Sequence, residues 1–503
     1  MDRWTNDPRV AKEASSRFGL AVAAVGAGVV GLVLLTFVLF SSSRDAPVSN
    51  ISLSEALETA LAQVVTFRSP ALQPDGRAAM LVQKREAAMA LRDRLGPLAA
   101  QEPALFALLN GRLDTAQKSV RIASAYDVDI AASLARLRMD YTLAAQLLRR
   151  ALEQGPDNAL QLRLSLADIL AEQGRVTGDA EPMREAIALY QDTIIPGVED
   201  PEELALVTNN LGIALQGLAV QTRNTAMLEE AAMAFAESLR IAPDGGGSAS
   251  TKANLASVLY DLAVIEPSET LLAAAETALR DAVQIGTTPM MSLYQRQLVS
   301  VLLLQAQNPA QTPPFDEIDQ LLQAVVHASP PILTVNQAAS LYTKFGNVLA
   351  QHGEIAADSG LLVRAAQAYD AALSRVDQTA QPLVWAGLQA NLGTVNAGLA
   401  GRNVAGYGYE QAAAAFRAAL GTYSAQGASL HWAMIQSNFA LTLEGEAARL
   451  GDVNLLNESL RRYSAALDLL EDIDPAMARQ VRQNLTLAEL RTVEMQLQMS
   501  SSN

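Results

Sequence analysis

Residues 432–452 read WAMIQSNFALTLEGEAARLGD, residues 453–470 read VNLLNESLRRYSAALDLL, and together these two segments decide the fold. In both segments apolar residues recur at helical spacing, and in the second they fall on the face that contains Tyr463. The Gly451-Asp452 pair between them is typical of a turn. The stretch therefore predicts a hairpin of two α-helices. Because one hairpin cannot bury both of its faces, we expect it to stack on neighbouring hairpins.

The same pattern recurs along the chain, and this periodicity is the strongest signal in the sequence. Over the last three repeats, five positions keep a spacing of 47 residues. Two of these positions continue upstream at steps of 44 and 45 residues, and a degenerate repeat lies around Leu298 and Leu321. The five positions are Trp385/Trp432, Phe345/Leu392/Phe439, Tyr369/Phe416/Tyr463, Ala372/Ala419/Ala466 and Leu373/Leu420/Leu467; the upstream members are Leu166, Leu211 and Leu255, and Tyr190, Phe235 and Leu279.

Small and large residues within these repeats fall at characteristic offsets. The segment AAQLLRRALEQGP and the segment around Phe235 share one spacing, and glycine recurs in the first helix. This pattern resembles the tetratricopeptide repeat, in a long-unit bacterial variety with a period of 44–48 residues rather than about 34. The resemblance implies an all-α α-solenoid of stacked helix-turn-helix repeats that binds other proteins. The residues that carry it are Ala144, Leu148, Ala151 and Pro156; Ala231, Phe235, Ser238 and Pro243; and Gly212, Gly346 and Gly393.

An uncharged apolar stretch, Phe18 to Phe40, lies near the N-terminus. As a helix it would be about 35 Å long, enough to cross the ~30 Å hydrocarbon core of a bilayer. Four Lys or Arg residues precede it, whereas the next twenty residues contain only Arg44, so the positive-inside rule places the N-terminus in the cytoplasm. The alternative is a cleaved signal peptide, but the stretch is longer than the usual apolar region, and its end, Leu34 to Phe40, is a poor approach to a small-residue cleavage site.

Small residues recur every four positions within residues 18–40. Such spacing lets transmembrane helices approach one another closely and indicates possible self-association. The alternative is that the spacing reflects only the high alanine and glycine content of the segment. The residues concerned are Gly19, Ala23, Ala27 and Gly31.

The sequence divides into six predicted parts. The predicted parts are a cytoplasmic tail (1–17), a transmembrane helix (18–40), a linker (41–51), a helical N-terminal region (52–127), the tetratricopeptide-like array (128–490) and a C-terminal tail (491–503).

The net charge and the amino-acid composition limit the classes of partner and activity that we expect. The formal net charge is −16; residues 1–44 carry +2, so the remainder carries −18 and is expected to repel nucleic acid and to favour a basic protein surface. There is no cysteine, and the three histidines lack metal-ligand spacing, so we expect no cofactor, no metal site and no enzymatic activity.

Abundant alanine and the excess of arginine over lysine favour a bacterium with a GC-rich genome. The body would then lie in the periplasm, held by a single pass through the inner membrane.

One polar position recurs in the first helices, two residues before the small residue of each repeat. In tetratricopeptide proteins these helices line the concave face, where an asparagine can offer a donor and an acceptor to a peptide backbone. The alternative is that each asparagine bonds within its own hairpin. Lys344 occupies the position in one repeat, which interrupts the row. The candidate peptide-groove residues, hereafter the Asn row, are Asn210, Asn254, Asn391 and Asn438.

These observations favour a membrane-anchored scaffold or assembly factor that binds protein partners beside a membrane complex. A regulatory adaptor that reports to the cytoplasm through the 17-residue tail is the second hypothesis. The third, an enzyme that uses the groove, predicts clustered aromatic residues or paired carboxylates on the concave face.

Overall fold

The computed structural model describes residues 132, 135, 136, 140–286, 290–328, 332–425 and 430–501. Within these residues the chain forms sixteen α-helices and no strand, which confirms the predicted all-α class. The helices are α1 (Tyr141–Leu152), α2 (Ala159–Thr177), α3 (Ala180–Leu189), α4 (Pro201–Thr222), α5 (Thr225–Ile241), α6 (Ser248–Ile265), α7 (Glu269–Ile285), α8 (Met290–Gln305), α9 (Phe315–Val326), α10 (Val335–Ile355), α11 (Ser359–Leu373), α12 (Pro382–Gly401), α13 (Tyr409–Ala425), α14 (Leu430–Leu450), α15 (Val453–Ile473) and α16 (Pro475–Ser501).

The chain divides into two compact units, one ending at Val301 and the other beginning at Leu302. In the N-terminal unit the hairpins α2–α3, α4–α5 and α6–α7 follow one another, and each helix packs on the next. In the C-terminal unit the hairpins α10–α11, α12–α13 and α14–α15 do the same, and α16 packs on α15. First helices of successive repeats also contact one another, in the pairs α2–α4, α4–α6, α10–α12 and α12–α14. The first helices of each unit therefore form one row.

Side-chain caps mark the helix starts. The predicted turn at Gly451-Asp452 is confirmed: Gly451 adopts a left-handed φ of 69°, and the Asp452 carboxylate accepts the N–H of Asn454 at 2.8 Å to begin α15. At α10, Thr334 and Gln337 form a reciprocal capping box. Each of these caps satisfies at least one of the N–H groups that a helix start leaves without an intrahelical partner. Other capping side chains are Asp140, Asp179, Asp200, Asn224, Ser268 and Asp358.

The core follows the predicted repeat positions. The predicted second-helix residues of the column that contains Phe235 and Phe416, and the alanines three positions after Tyr369, Phe416 and Tyr463, are at most 2% exposed apart from the degenerate repeat. There the buried residue is Leu322, at 0% exposure, whereas the predicted Leu321 is half-buried. Leu322 keeps the 24-residue spacing from Leu298 that the other repeats show, so the prediction was out of register by one residue.

Glycine in the first helix is explained by close packing of the aromatic ring. A Cβ on Gly212 would lie 2.7 Å from Cε1 of Phe235, and one on Gly346 would lie 2.8 Å from Cε1 of Tyr369. The two helices of these hairpins therefore approach too closely for any side chain at the small position.

Among the described residues, one helix, α4, is long and apolar enough to cross a membrane. It is 61% buried within the protein, as expected for the central helix of a stack. The predicted transmembrane helix 18–40, with Gly19, Ala23, Ala27 and Gly31, lies outside the described residues, as do the tail 1–17, the linker 41–51 and the region 52–127. The last helix, α16, runs without a break across residue 490, where the C-terminal tail was predicted to begin.

Candidate functional site

Every member of the Asn row donates a hydrogen bond to the first helix of the preceding repeat. The sequence analysis considered a bond to a partner's backbone and a bond within the same hairpin. The observed bond is neither of these, because it joins two successive repeats. The row therefore joins successive repeats of each compact unit. The bonds run from Asn210 Nδ2 to Asp168 Oδ1 (3.2 Å), from Asn254 Nδ2 to Asn209 Oδ1 (2.9 Å), from Asn391 Nδ2 to Asn347 Oδ1 (3.2 Å) and from Asn438 Nδ2 to Thr394 Oγ1 (3.4 Å).

Asn254 does not lie on an accessible surface. Its side chain is 0% exposed, and its Oδ1 atom is buried without a hydrogen-bond partner. The prediction that Asn254 lines a groove is wrong for this structure, because α4 and α6 enclose the amide where Asn209 accepts its bond.

Two of the accepting residues also bind a tyrosine hydroxyl, which forms a three-helix bridge. In the C-terminal unit, Asn347 Oδ1 accepts from Tyr369 Oη of its own repeat at 2.8 Å and from Asn391 of the next repeat. In the N-terminal unit, Asp168 accepts in the same way from Tyr190 and from Asn210. Each bridge therefore fixes the first helix of the next repeat, together with either α11 or the π-helical turn Tyr190–Ile194 that continues α3, to a single oxygen atom.

The two tyrosines of these bridges are buried, and burial shifts the pKa of the titratable groups in the bridges. Burial raises the pKa of Tyr369, and it raises the pKa of Tyr190, whose hydroxyl also faces the Asp168 carboxylate. Burial likewise raises the pKa of Asp168, against the opposing effects of Arg136 and of its two hydrogen bonds. The two hydroxyls hold helices together at positions closed to solvent, whereas Asp168 is half-buried.

Repeats that carry phenylalanine instead of tyrosine need no such acceptor. Ile213 stands two positions after Leu211 in the repeat of Phe235, and Thr394 stands at the same place in the repeat of Phe416. The last tyrosine, Tyr463, donates instead to Glu444 Oε1 at 2.7 Å, and Glu444 also pairs with Arg491 of α16. Each of the three tyrosines at this repeat position thus donates to a polar side chain in the first helix of its own repeat.

A second buried polar cluster lies at the start of the described array. Arg136 Nε is 2.5 Å from Glu172 Oε2, and Tyr141 Oη donates to Glu172 Oε1 at 3.0 Å. Glu172 is 6% exposed, so this ion pair is shielded from solvent and costly to leave half-formed. It anchors residue 136 to α2, where Asp168 also lies.

Asn391 and Asn438 retain hydrogen-bonding capacity. Both are half-buried and lie at the same position of adjacent, contacting helices, α12 and α14. An amide has two N–H donors and an acceptor oxygen, and each of these residues spends one donor on the preceding repeat. One N–H and the oxygen of each amide are therefore left for water or a ligand. Lys344, which replaces the asparagine in α10, is half-buried, and burial lowers its pKa.

Acidic and histidine side chains do not gather into a metal site anywhere in the described part of the chain. His352 is buried, and its Nε2 lies 2.8 Å from the carbonyl of Ala306. His431 stacks on Tyr423, with ring centroids 6.0 Å apart. These contacts are those of packing residues.

No protein-family model matches the sequence, and no curated protein matches it either. Among solved structures, the chain is similar to the human IFIT1 dimer with PPP-AAAA, at 13% identity and a TM-score of 0.31, over 95% of each chain. It is also similar to yeast Tom70, at 14% identity and a TM-score of 0.21, over 81% of this chain and 96% of that one. A circular tandem repeat protein with novel repeat topology matches at 15% identity and a TM-score of 0.17, over 95% of this chain and 100% of that one. These identities and TM-scores are too low to transfer any property of those proteins to this chain.

Proposed function

We propose that the protein is a membrane-anchored scaffold, without enzymatic activity, that binds an extended segment of a partner protein along the first helices of the C-terminal unit. One observation carries this proposal: Asn391 and Asn438 are held in a fixed orientation by inter-repeat hydrogen bonds, yet each keeps one N–H donor and its oxygen.

Fixed amides of this kind suit a peptide backbone. An extended backbone presents a donor and an acceptor at each residue, and a paired N–H and C=O on the protein can satisfy both. Because the inter-repeat bonds already restrict the two side chains, binding them costs less conformational entropy than ordering free side chains would.

The location of the partner follows from charge and from the N-terminal anchor. Residues 45–503 carry −18, which favours a basic surface on the partner outside the groove. Residues 18–40 would hold the array at the periplasmic face of a bacterial inner membrane, beside a membrane complex.

A paired replacement tests the groove. Asn391→Ala combined with Asn438→Ala should weaken partner binding by about 1–3 kcal/mol for each partner group left unpaired. The matched control is Asn454→Ala on the second helix α15, where the side chain is exposed. The partner is first captured with a photo-crosslinking residue at Met434, one turn before Asn438, and affinity is then measured on the folded protein. If the double variant binds as tightly as the control, the groove is not the binding surface.

Topology is tested separately. A reporter that is active only outside the cytoplasm, fused after Asn503, should be active, and deletion of residues 1–44 should release the protein from the membrane. A reporter that works only in the cytoplasm would contradict the proposed orientation while leaving the groove proposal intact.

A further inference from the structure

Lys344 interrupts the Asn row in the C-terminal unit and carries a positive charge that its own surroundings do not balance. It stands in α10 at the position that Asn391 and Asn438 hold in α12 and α14. The side chain is half-buried, and burial lowers its pKa. Within the described part of the chain, its ammonium group forms no hydrogen bond and no ion pair.

The other half-buried cations of the described C-terminal unit all have partners. Arg364, Arg402 and Arg462 each pair with a carboxylate, at distances of 2.5–2.9 Å. Arg375 donates to a backbone carbonyl at 2.7 Å. A partly desolvated ammonium group without a counter-charge is unfavourable, because burial removes hydration from the charged form. A negative group supplied by a ligand would offset that cost at Lys344.

The first helices of this unit supply no such group themselves. Helix α12 contains no charged residue. The one carboxylate of α10, Glu354, lies ten residues after Lys344, about 15 Å along the helix, and pairs with Arg402. In α14, Glu444 and Glu446 are buried, and each pairs with an arginine. A carboxylate that enters the groove near Lys344 would therefore meet a positive charge and no unpaired negative one on these three helices.

We propose that Lys344 binds the side-chain carboxylate of an aspartate or glutamate within the extended partner segment. This inference rests on the proposed function, because Asn391 and Asn438 would hold the backbone of the same segment. A segment that follows the row passes α10 as it passes α12 and α14, so Lys344 meets a side chain of the segment rather than its end. The two asparagines would supply affinity for any extended backbone, and Lys344 would supply selectivity for sequence.

The spacing of the first helices sets the position of the acidic residue. Helix α10 contacts α12, and α12 contacts α14. Packed helices lie about 8–10 Å apart, and an extended chain rises about 3.3 Å per residue, so one repeat corresponds to about three residues of the partner. The acidic residue should therefore stand about three residues from the one bound at Asn391 and about six from the one bound at Asn438.

Peptide selection tests this chemistry without a known partner. The probe is a library of random peptides of about twelve residues, long enough to cross three repeats, fused at both ends so that no terminal carboxylate is free. The bait is the full-length protein in detergent. Selected peptides should share one aspartate or glutamate position. With Lys344→Glu as bait the selected residue should change to lysine or arginine, and with Lys344→Asn, which restores the residue of the neighbouring repeats, the preference should disappear.

A double-mutant cycle then measures the pair. For a selected peptide, Lys344→Asn should weaken binding about tenfold or more, whereas it should have little effect once the acidic residue of the peptide is replaced by its amide. Arg461→Gln is the matched control, because it removes one positive charge from an exposed position on the second helix α15. It should leave both affinities unchanged.

The small number of lysines allows a direct reading of the charge. Only five occur, so reductive methylation with ¹³C, which keeps the charge, gives few resonances, and that of Lys344 is identified by its loss in Lys344→Asn. Its pKa should rise when the peptide binds, because a neighbouring carboxylate favours the charged form.

Failure of this inference and failure of the groove are distinguishable. If the selected peptides bind Asn391→Ala combined with Asn438→Ala as tightly as the natural protein, or if no peptide is selected, the groove itself is wrong. If the double variant weakens binding but no acidic position emerges, or the cycle shows no coupling, only the role of Lys344 is overturned. It is also overturned if binding appears only in a second library with free C-termini. An ordinary lysine pKa at Lys344 before peptide is added would likewise overturn it, because a carboxylate of residues 52–127 would then already occupy the site.

Discussion

Replacing Gly212 with alanine should destabilise the N-terminal unit, although the same change usually favours a helix. The added Cβ would lie 2.7 Å from Cε1 and 2.8 Å from Cδ1 of Phe235, and the Phe235 ring is 0% exposed. Overpacking of this kind costs about 1–3 kcal/mol. The gain in helix propensity offsets about 1 kcal/mol of that cost, so we expect a net loss of about 0–2 kcal/mol.

Gly421 in α13 provides the matched control, since a Cβ there would meet nothing within 4 Å. Gly421→Ala should therefore stabilise the protein by up to about 1 kcal/mol, and the two variants should differ by about 1–3 kcal/mol. Urea denaturation followed by circular dichroism at 222 nm measures both. Adding Phe235→Leu to Gly212→Ala should recover part of the packing loss, because Leu279 packs at the same position in the repeat that has Ala256. If Gly212→Ala raises stability as much as Gly421→Ala does, the close-packing argument is wrong.

Three further predictions concern the effect of single substitutions on stability. Phe416→Ala, at a site with 0% exposure, should cost about 3–5 kcal/mol, and hydrogen exchange should show loosening of adjacent repeats rather than of the whole chain. Tyr369→Phe removes the donor to Asn347 and should cost about 0.5–1.5 kcal/mol; an unchanged melting temperature would mean that the bridge contributes nothing. Burial raises the pKa of Asp261 to about 7, above the 3.8 of the unfolded chain, so the folded state keeps a proton that the unfolded state loses between about pH 4 and 7. Stability therefore falls as pH rises through that window, and Asp261→Asn should have a higher melting temperature than the natural protein at pH 8 but not at pH 4.

The helical repeat was predictable because the buried side chains recur in the sequence at the spacing of the repeats. Tyr190, Phe235, Phe416 and Tyr463 recur at the repeat spacing, and all are buried. The turn at Gly451 was predictable for a similar reason, since few residues adopt a positive φ without strain. The register of the degenerate repeat was missed by one residue because Leu321 and Leu322 are both leucine, and only packing distinguishes them.

The contacts of the Asn row could not be obtained from periodicity alone. A recurring asparagine indicates a constrained environment, but the donor and acceptor at Asn391 are compatible with a ligand, its own hairpin or a neighbouring repeat. A usable signal was present: Asp168 and Asn347 each stand 22 residues before a tyrosine, Tyr190 and Tyr369. Comparing those repeats with the phenylalanine repeats would have suggested an acceptor for the hydroxyl.

The three-helix bridges restrict how the array can be rearranged. A repeat with a tyrosine needs an acceptor in its own first helix, as Tyr369 has in Asn347, and the following repeat supplies a matching amide in Asn391. Excising or transplanting one repeat with its hydrophobic positions intact would still leave a buried hydroxyl or amide without its counterpart. The polar residues thus restrict the order of the repeats. We expect a protein with rearranged repeats to fold only when each pair of neighbouring repeats keeps both the donor and the acceptor of its inter-repeat hydrogen bond.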